Sequence, residues 1–158
     1  MAPRERPAPL DDSTEVVLTN GRLAAVLEEI ADLLEIKGGS GYKVAAYRRA
    51  ADSVAHAGVE VAAAYRAGER PALRGVGDSI SERIEELATT GHSGYHQALC
   101  GEVPPTLLEF LALPGVGPRT AGEVWRQLGI ATLPELERAA REGRLRAVRG
   151  ISARMEAR

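Results

Sequence analysis

The sequence predicts an all-α fold built of two small helical units, and three observations carry that expectation. The 158 residues are 44% hydrophobic but only 4% aromatic, so the core must come from Ala, Leu, Val and Ile, which pack well between helices. Apolar residues recur at helical spacing through most of the chain. A glycine-centred turn followed by an amphipathic run occurs twice, forty residues apart, with Gly75 and Gly115 in equivalent places.

Each element follows from local chemistry. Residues 1–18 hold three of the nine prolines and mixed charge without periodicity, and a disordered leader is expected there. Asn20 reads as the N-cap of a first helix in which Leu23, Val26, Leu27, Ile30, Leu33 and Leu34 share a face until Gly38 and Gly39 stop it. A second helix is expected over 41–57, with Val44, Tyr47, Ala51 and Val54 inward and His56 on the surface at its end. A short third helix should cover 60–67.

The run Leu73-Arg74-Gly75-Val76-Gly77 then makes a hairpin leading into a helix that is apolar at Ile80, Ile84 and Leu87. Leu113-Pro114-Gly115-Val116-Gly117 repeats it, and Pro118 falls in the first helical turn, where its missing N–H costs nothing. Trp125, the single tryptophan, is expected to face the core. Thr132 and Glu135 spell a capping box for a helix through Arg141, with Pro134 in its first turn. Residues 148–152 read as a degenerate third hairpin in which Ser152 replaces the second glycine. The two units are expected over 19–100 and 101–158.

Composition narrows the function classes. A single cysteine, Cys100, cannot form an internal disulfide, and no signal-like or membrane-spanning apolar run is present, so a cytoplasmic, reduced protein is expected; it is taken to be a monomer and, as a binder of nucleic-acid phosphate, nucleoid-associated. The formal net charge of −2 lacks the basic excess that phosphate binding usually leaves, yet charge is unevenly spread. From residue 138 onward seven arginines face two glutamates, which makes Arg146, Arg149 and Arg154 secondary basic contacts.

The hairpins suggest phosphate as a ligand. Glycines permit positive φ and let another backbone come close, so the N–H groups of the turn and helix start face outward at the positive end of the helix dipole. Gly75, Val76, Gly77 and Ser79 form one such candidate site, and Gly115, Val116, Gly117, Arg119 and Thr120 the other. The two valines would point inward and anchor each turn, while Asp78 is a poor phosphate neighbour and a candidate helix cap. Contacts of this kind read the DNA backbone rather than its bases. An isolated Gly-Val-Gly is equally well a tight interhelical turn, and the repetition favours a phosphate clamp.

From residue 20 to 158 the chain resembles the amino-terminal part of the family X DNA polymerases. Besides both hairpins, the resemblance rests on Leu33-Leu34-Glu35-Ile36-Lys37-Gly38, on the run Tyr42-Lys43-Val44-Ala45-Ala46-Tyr47-Arg48-Arg49-Ala50-Ala51, and on Glu102-Val103-Pro104. It implies a domain that grips the 5′ phosphate of a gapped strand, with Lys43, Tyr47 and Arg83 at the phosphate pocket, and a monovalent cation at a hairpin. It also implies DNA repair as the setting and a repair enzyme as partner. Members with lyase activity use a lysine where this sequence has Arg83, whose guanidinium stays protonated, and Ser79 replaces a supporting lysine. No counterpart of the polymerase palm is read in the sequence, so no catalytic residue is expected. Two alternatives stand beside this reading: a 5′-deoxyribose phosphate lyase that uses Lys43 or Lys37, and a protein-interaction module. His92, His96 and Cys100 recur every four residues, but without a fourth ligand no metal is expected.

Overall fold

The computed structural model describes residues 18–147, and among them every regular element is a helix. Seven α-helices follow in order: α1 Asn20–Lys37, α2 Gly41–Ala55, α3 Val61–Arg66, α4 Asp78–Thr90, α5 Gly94–Glu102, α6 Pro118–Leu128 and α7 Leu133–Arg141. A 3-10 helix, Pro105–Ala112, precedes the second hairpin, and a shorter one, Leu145–Ala147, follows α7. No helix among the described residues is long and apolar enough to cross a membrane. Residues 1–17 of the leader and the third hairpin, with Arg149 and Arg154, lie outside the described residues, while Leu18 is half-buried against the core.

α1 is the central post. Its Leu23, Leu27, Ile30, Leu33 and Ile36 are fully buried, and it packs on α2, α3, α5, α6 and the first 3-10 helix. Each buried Leu or Ile contributes roughly 1.5–3 kcal/mol, so this one helix supplies the largest share of the core. The sole phenylalanine, Phe110, is also fully buried. The expected boundary near residue 100 falls inside one continuous hydrophobic cluster, because α1 serves both halves.

The inward faces of α2 and α4 match the periodicity of the sequence, with Val44, Tyr47, Ala51, Val54, Ile80, Ile84 and Leu87 all buried. Trp125 is half-buried against the core. The capping box of α7 forms through Thr132 and Glu135. α2 and α3 are each somewhat shorter than expected, and His56 is the exposed C-cap of α2.

Two capping expectations are corrected. Thr19, not Asn20, caps α1, accepting from the Arg22 N–H. Asn20 instead bridges elements: its amide donates to the Val59 carbonyl at 2.8 Å and accepts from the Val61 N–H at 2.9 Å, which ties α1 to the start of α3. Asp78 is the first residue of α4 rather than its cap, a place taken by Gly77. The remaining buried polar pair, Tyr65 Oη and Ser81 Oγ at 2.8 Å, locks α3 to α4 and satisfies both hydroxyls.

Candidate nucleic-acid interface

Each hairpin joins two helices that pack on each other, α3 with α4 and the first 3-10 helix with α6. The two turns are built alike. Val76 N–H donates to the Leu73 carbonyl at 3.3 Å, and Val116 N–H donates to the Leu113 carbonyl at 3.1 Å. Gly75 and Gly115 hold φ of +77° and +81°, where a side chain costs about 1–2 kcal/mol. Gly77 and Gly117 are extended N-caps with ψ of −179°, and neither helix start has a side-chain cap. The N–H groups of Asp78, Ser79 and Ile80, and of Arg119 and Thr120, therefore lie in the first turns without intrahelical partners. Val76 and Val116 are half-buried against the core, the anchoring role expected of them.

A cavity of about 300 Å³ opens beside the first hairpin, between α2, α4 and α5. Lys43, Tyr47 and Arg83, forty positions apart at the extremes, all line it, together with Gly75, Gly77 and Ser79. The sequence did not mark Tyr42, Arg49 and Tyr95, which line it too. Tyr42 and Arg49, seven residues apart, form one row along α2, and Lys43 and Tyr47, four apart, form the neighbouring row, so helical spacing contains part of the signal. Tyr95 comes from α5, and only the tertiary fold brings it there.

Tyr95 and Tyr47 stack with centroids 5.9 Å apart and planes at 8°, and the Arg83 guanidinium sits 4.6 Å from the Tyr95 centroid. Arg83 Nε is buried without a hydrogen-bond partner. Burial pushes the Tyr47 phenol above its ordinary range against the opposing pull of Arg83, so the ring stays neutral. Among the described residues no ion pair holds Lys43, Arg49 or Arg83, while Asp78 is the one acid lining the cavity. Lys37 is elsewhere, paired with Glu102 at 2.5 Å.

Around the second hairpin, Arg119 is exposed and Thr120 half-buried. Arg119 lines a groove with Gly41, Arg48 and Arg126, so the second hairpin opens next to the start of α2. Tyr42 and Lys43, one and two residues further on, belong to the first cavity. The start of α2 thus stands between the two candidate phosphate sites. Arg146 is exposed in the short 3-10 segment after α7.

A monovalent cation at a hairpin would take backbone carbonyls as ligands. At the first turn the Leu73 carbonyl closes the turn and the Arg74 carbonyl accepts the Ser53 hydroxyl. At the second, only the Leu113 carbonyl is so engaged among the described residues, which makes that turn the better fit.

α6 approaches α1 at Gly122, where an added Cβ would lie 2.5 Å from the Ile36 carbonyl oxygen. Arg126 donates to the same carbonyl at 2.7 Å, capping the end of α1 from the second unit. This close approach, unmarked in the sequence reading, sets where the second hairpin stands.

The expected histidine and cysteine stripe is corrected. His92 precedes α5, whose N-cap is Ser93, so only His96 and Cys100 share a helix face.

Comparison with known proteins agrees with this geometry. The family described as Helix-hairpin-helix domain matches residues 18–93, and that described as SAM-like Helix-hairpin-helix tandem matches residues 107–158. The DNA polymerase/3'-5' exonuclease PolX of Bacillus subtilis (strain 168) is 28% identical over 131 residues, or 83% of this chain. The chain spans 22% of that relative's length, and the aligned part is its N-terminal region rather than its catalytic palm. The chain carries two helix-hairpin-helix domains and is similar to the N-terminal helix-hairpin-helix region of the family X DNA polymerases.

Proposed function

We propose that this chain holds DNA by its sugar-phosphate backbone, without dependence on base sequence, and that the cavity beside the first hairpin takes a 5′ phosphate at a gap, nick or recessed end. The observation that carries the reading is the cavity itself. Three cations that have no ion-pair partner among the described residues, Lys43, Arg49 and Arg83, converge on the uncapped start of α4, whose N–H groups and dipole favour an anion. A doubly charged terminal phosphate suits that excess better than the singly charged phosphodiester of a continuous strand. Tyr42, 79% exposed at the mouth, offers a ring for the terminal base to stack on.

The second hairpin supplies a second, weaker backbone contact through Arg119, Thr120 and the start of α6. The first turns of α4 and α6 flank the start of α2, so a strand entering at the second hairpin passes that start on its way to the cavity. DNA repair in a polymerase-related setting, with a repair enzyme as partner, is the role such a preference would serve, and Arg146, Arg149 and Arg154 are its candidate secondary basic contacts by sequence. Backbone carbonyls of the second hairpin would hold a monovalent cation, which would supply positive charge beside that contact.

The test is fluorescence anisotropy with gapped duplexes that differ only in bearing a 5′ phosphate or a 5′ hydroxyl. The phosphorylated gap should bind about tenfold or more tightly, with affinity falling as salt rises. Lys43→Ala and Arg49→Ala should each erode the preference while leaving intact-duplex binding nearly unchanged. Equal affinity for the two gaps would refute the pocket assignment.

A further inference from the structure

His96 and Cys100 lie one turn apart on α5, and Glu29 meets them from α1. One ligand atom from each lies within 4.8 Å of the others, and all three residues are half-buried. Glu29 Oε2 is 2.5 Å from His96 Nε2, and Cys100 Sγ is 3.9 Å from the same nitrogen. That shared nitrogen decides between two chemistries. In a nucleophile relay the thiol and the carboxylate occupy opposite ring nitrogens, so that one accepts a proton while the other orients the ring. Here both address Nε2, which makes a convergent donor set and not a relay.

Convergence is the geometry of a chelate. With Zn–S near 2.3 Å and Zn–N near 2.0 Å, sulfur and nitrogen on a tetrahedral ion stand roughly 3.5 Å apart. The observed separation of 3.9 Å needs only a small side-chain adjustment. The Glu29 side chain is 41% exposed and free to rotate its carboxylate away from the direct hydrogen bond. A thiolate, an imidazole and a carboxylate together select a borderline ion such as Zn²⁺ over Mg²⁺ or Ca²⁺, which prefer oxygen alone.

We propose that Glu29, His96 and Cys100 form a three-ligand Zn²⁺ site whose fourth position opens to solvent. The site staples α5 to α1. Because α5 also carries Tyr95, on which Arg83 rests, a bound ion would fix one wall of the cavity beside the first hairpin, although metal binding does not depend on what that cavity holds.

Cobalt is the probe, added to chelator-treated full-length chain. Tetrahedral binding should give intense visible bands, and thiolate ligation a near-ultraviolet charge-transfer band that Zn²⁺ abolishes by displacement. Cys100 is the chain's single cysteine, so that band in the wild type assigns the sulfur ligand without any variant. Glu29→Gln and His96→Gln should weaken Zn²⁺ binding by at least the 10–100-fold that loss of even an outer-shell partner costs. A rise in Tm on adding Zn²⁺, lost in Cys100→Ser, would accompany binding. The proposal is overturned if the wild type shows only the pale octahedral cobalt spectrum, or if neither Glu29→Gln nor His96→Gln changes the affinity.

Discussion

Gly117→Ser separates a phosphate clamp from a mere turn. Gly117 caps α6 at φ −102° and ψ −179°, values any residue adopts, and a Cβ built there meets no heavy atom within 4 Å. Serine is also a better N-cap than glycine, by a few tenths of a kcal/mol, because its hydroxyl accepts the N–H of the second or third helical residue. At this helix that means Arg119 or Thr120. The folded protein should therefore be as stable as the wild type or slightly more so. The bound complex should suffer, since the serine oxygen takes a donor that a phosphate would otherwise use. A hydrogen bond to a charged group is worth roughly 1.5–3 kcal/mol, which corresponds to about ten- to a hundredfold in affinity. Thermal unfolding followed by circular dichroism, and anisotropy titration of labelled duplex at low salt, supply the two numbers. Weaker DNA binding with an unchanged or raised Tm supports the clamp. Unchanged binding in both Gly117→Ser and Gly77→Ser would refute it and leave the hairpins as connectors.

Gly122→Ala should lower Tm, because overpacking against the Ile36 carbonyl costs about 1–3 kcal/mol and outweighs the roughly 1 kcal/mol that alanine gains in a helix. Gly101→Ala, where nothing lies within 4 Å of the new methyl, should raise Tm, and calorimetry of the two variants checks the opposite signs. Arg48 pairs with Glu28, Asp32 and Glu35, and burial already holds the Asp32 carboxyl above its usual range. Arg48→Gln should raise it further. A carboxyl whose folded-state pKa is raised stabilises fully below its unfolded pKa and loses that contribution as pH rises through the folded value. The variant's deficit, about 1 kcal/mol after allowing for solvent screening, should then be larger near neutrality than at about pH 5, as a pH series of Tm values would show. With abasic-site DNA, sodium borohydride should trap no adduct, since by the resemblance Arg83 takes the place of the lyase lysine; an adduct lost in Lys43→Ala would make the chain a lyase.

The parts of this protein that sequence reading reached are those fixed by neighbours in the chain. Helical periodicity placed Val44, Tyr47, Ala51 and Val54 inward because burial on a helix repeats every turn. The duplicated Gly-Val-Gly revealed both hairpins because a positive φ before an uncapped helix start has few sequence solutions. Lys43, Tyr47 and Arg83 were found by resemblance, and they meet in one cavity. Local reading was less secure where one polar residue had two possible uses. Asn20 is a good N-cap by type, yet Thr19 stands one residue earlier, and only the presence of α3 gives the Asn20 amide its partners.

What tertiary structure alone decided is which distant residues share a space. Tyr95 under Arg83 joins two consecutive helices, while Glu29 beside His96 and Cys100, and the Ile36 carbonyl against Gly122, join helices far apart in the chain. No periodicity encodes these meetings. They depend on how the helices cross and how closely they approach, which the packing of α1 against its neighbours sets for the molecule as a whole. The sequence by itself determined the helices, the two hairpins and the chemistry each hairpin offers, because those depend on backbone conformation within a few residues. Packing determined the cavity between α2, α4 and α5, because a cavity is a property of surfaces brought together.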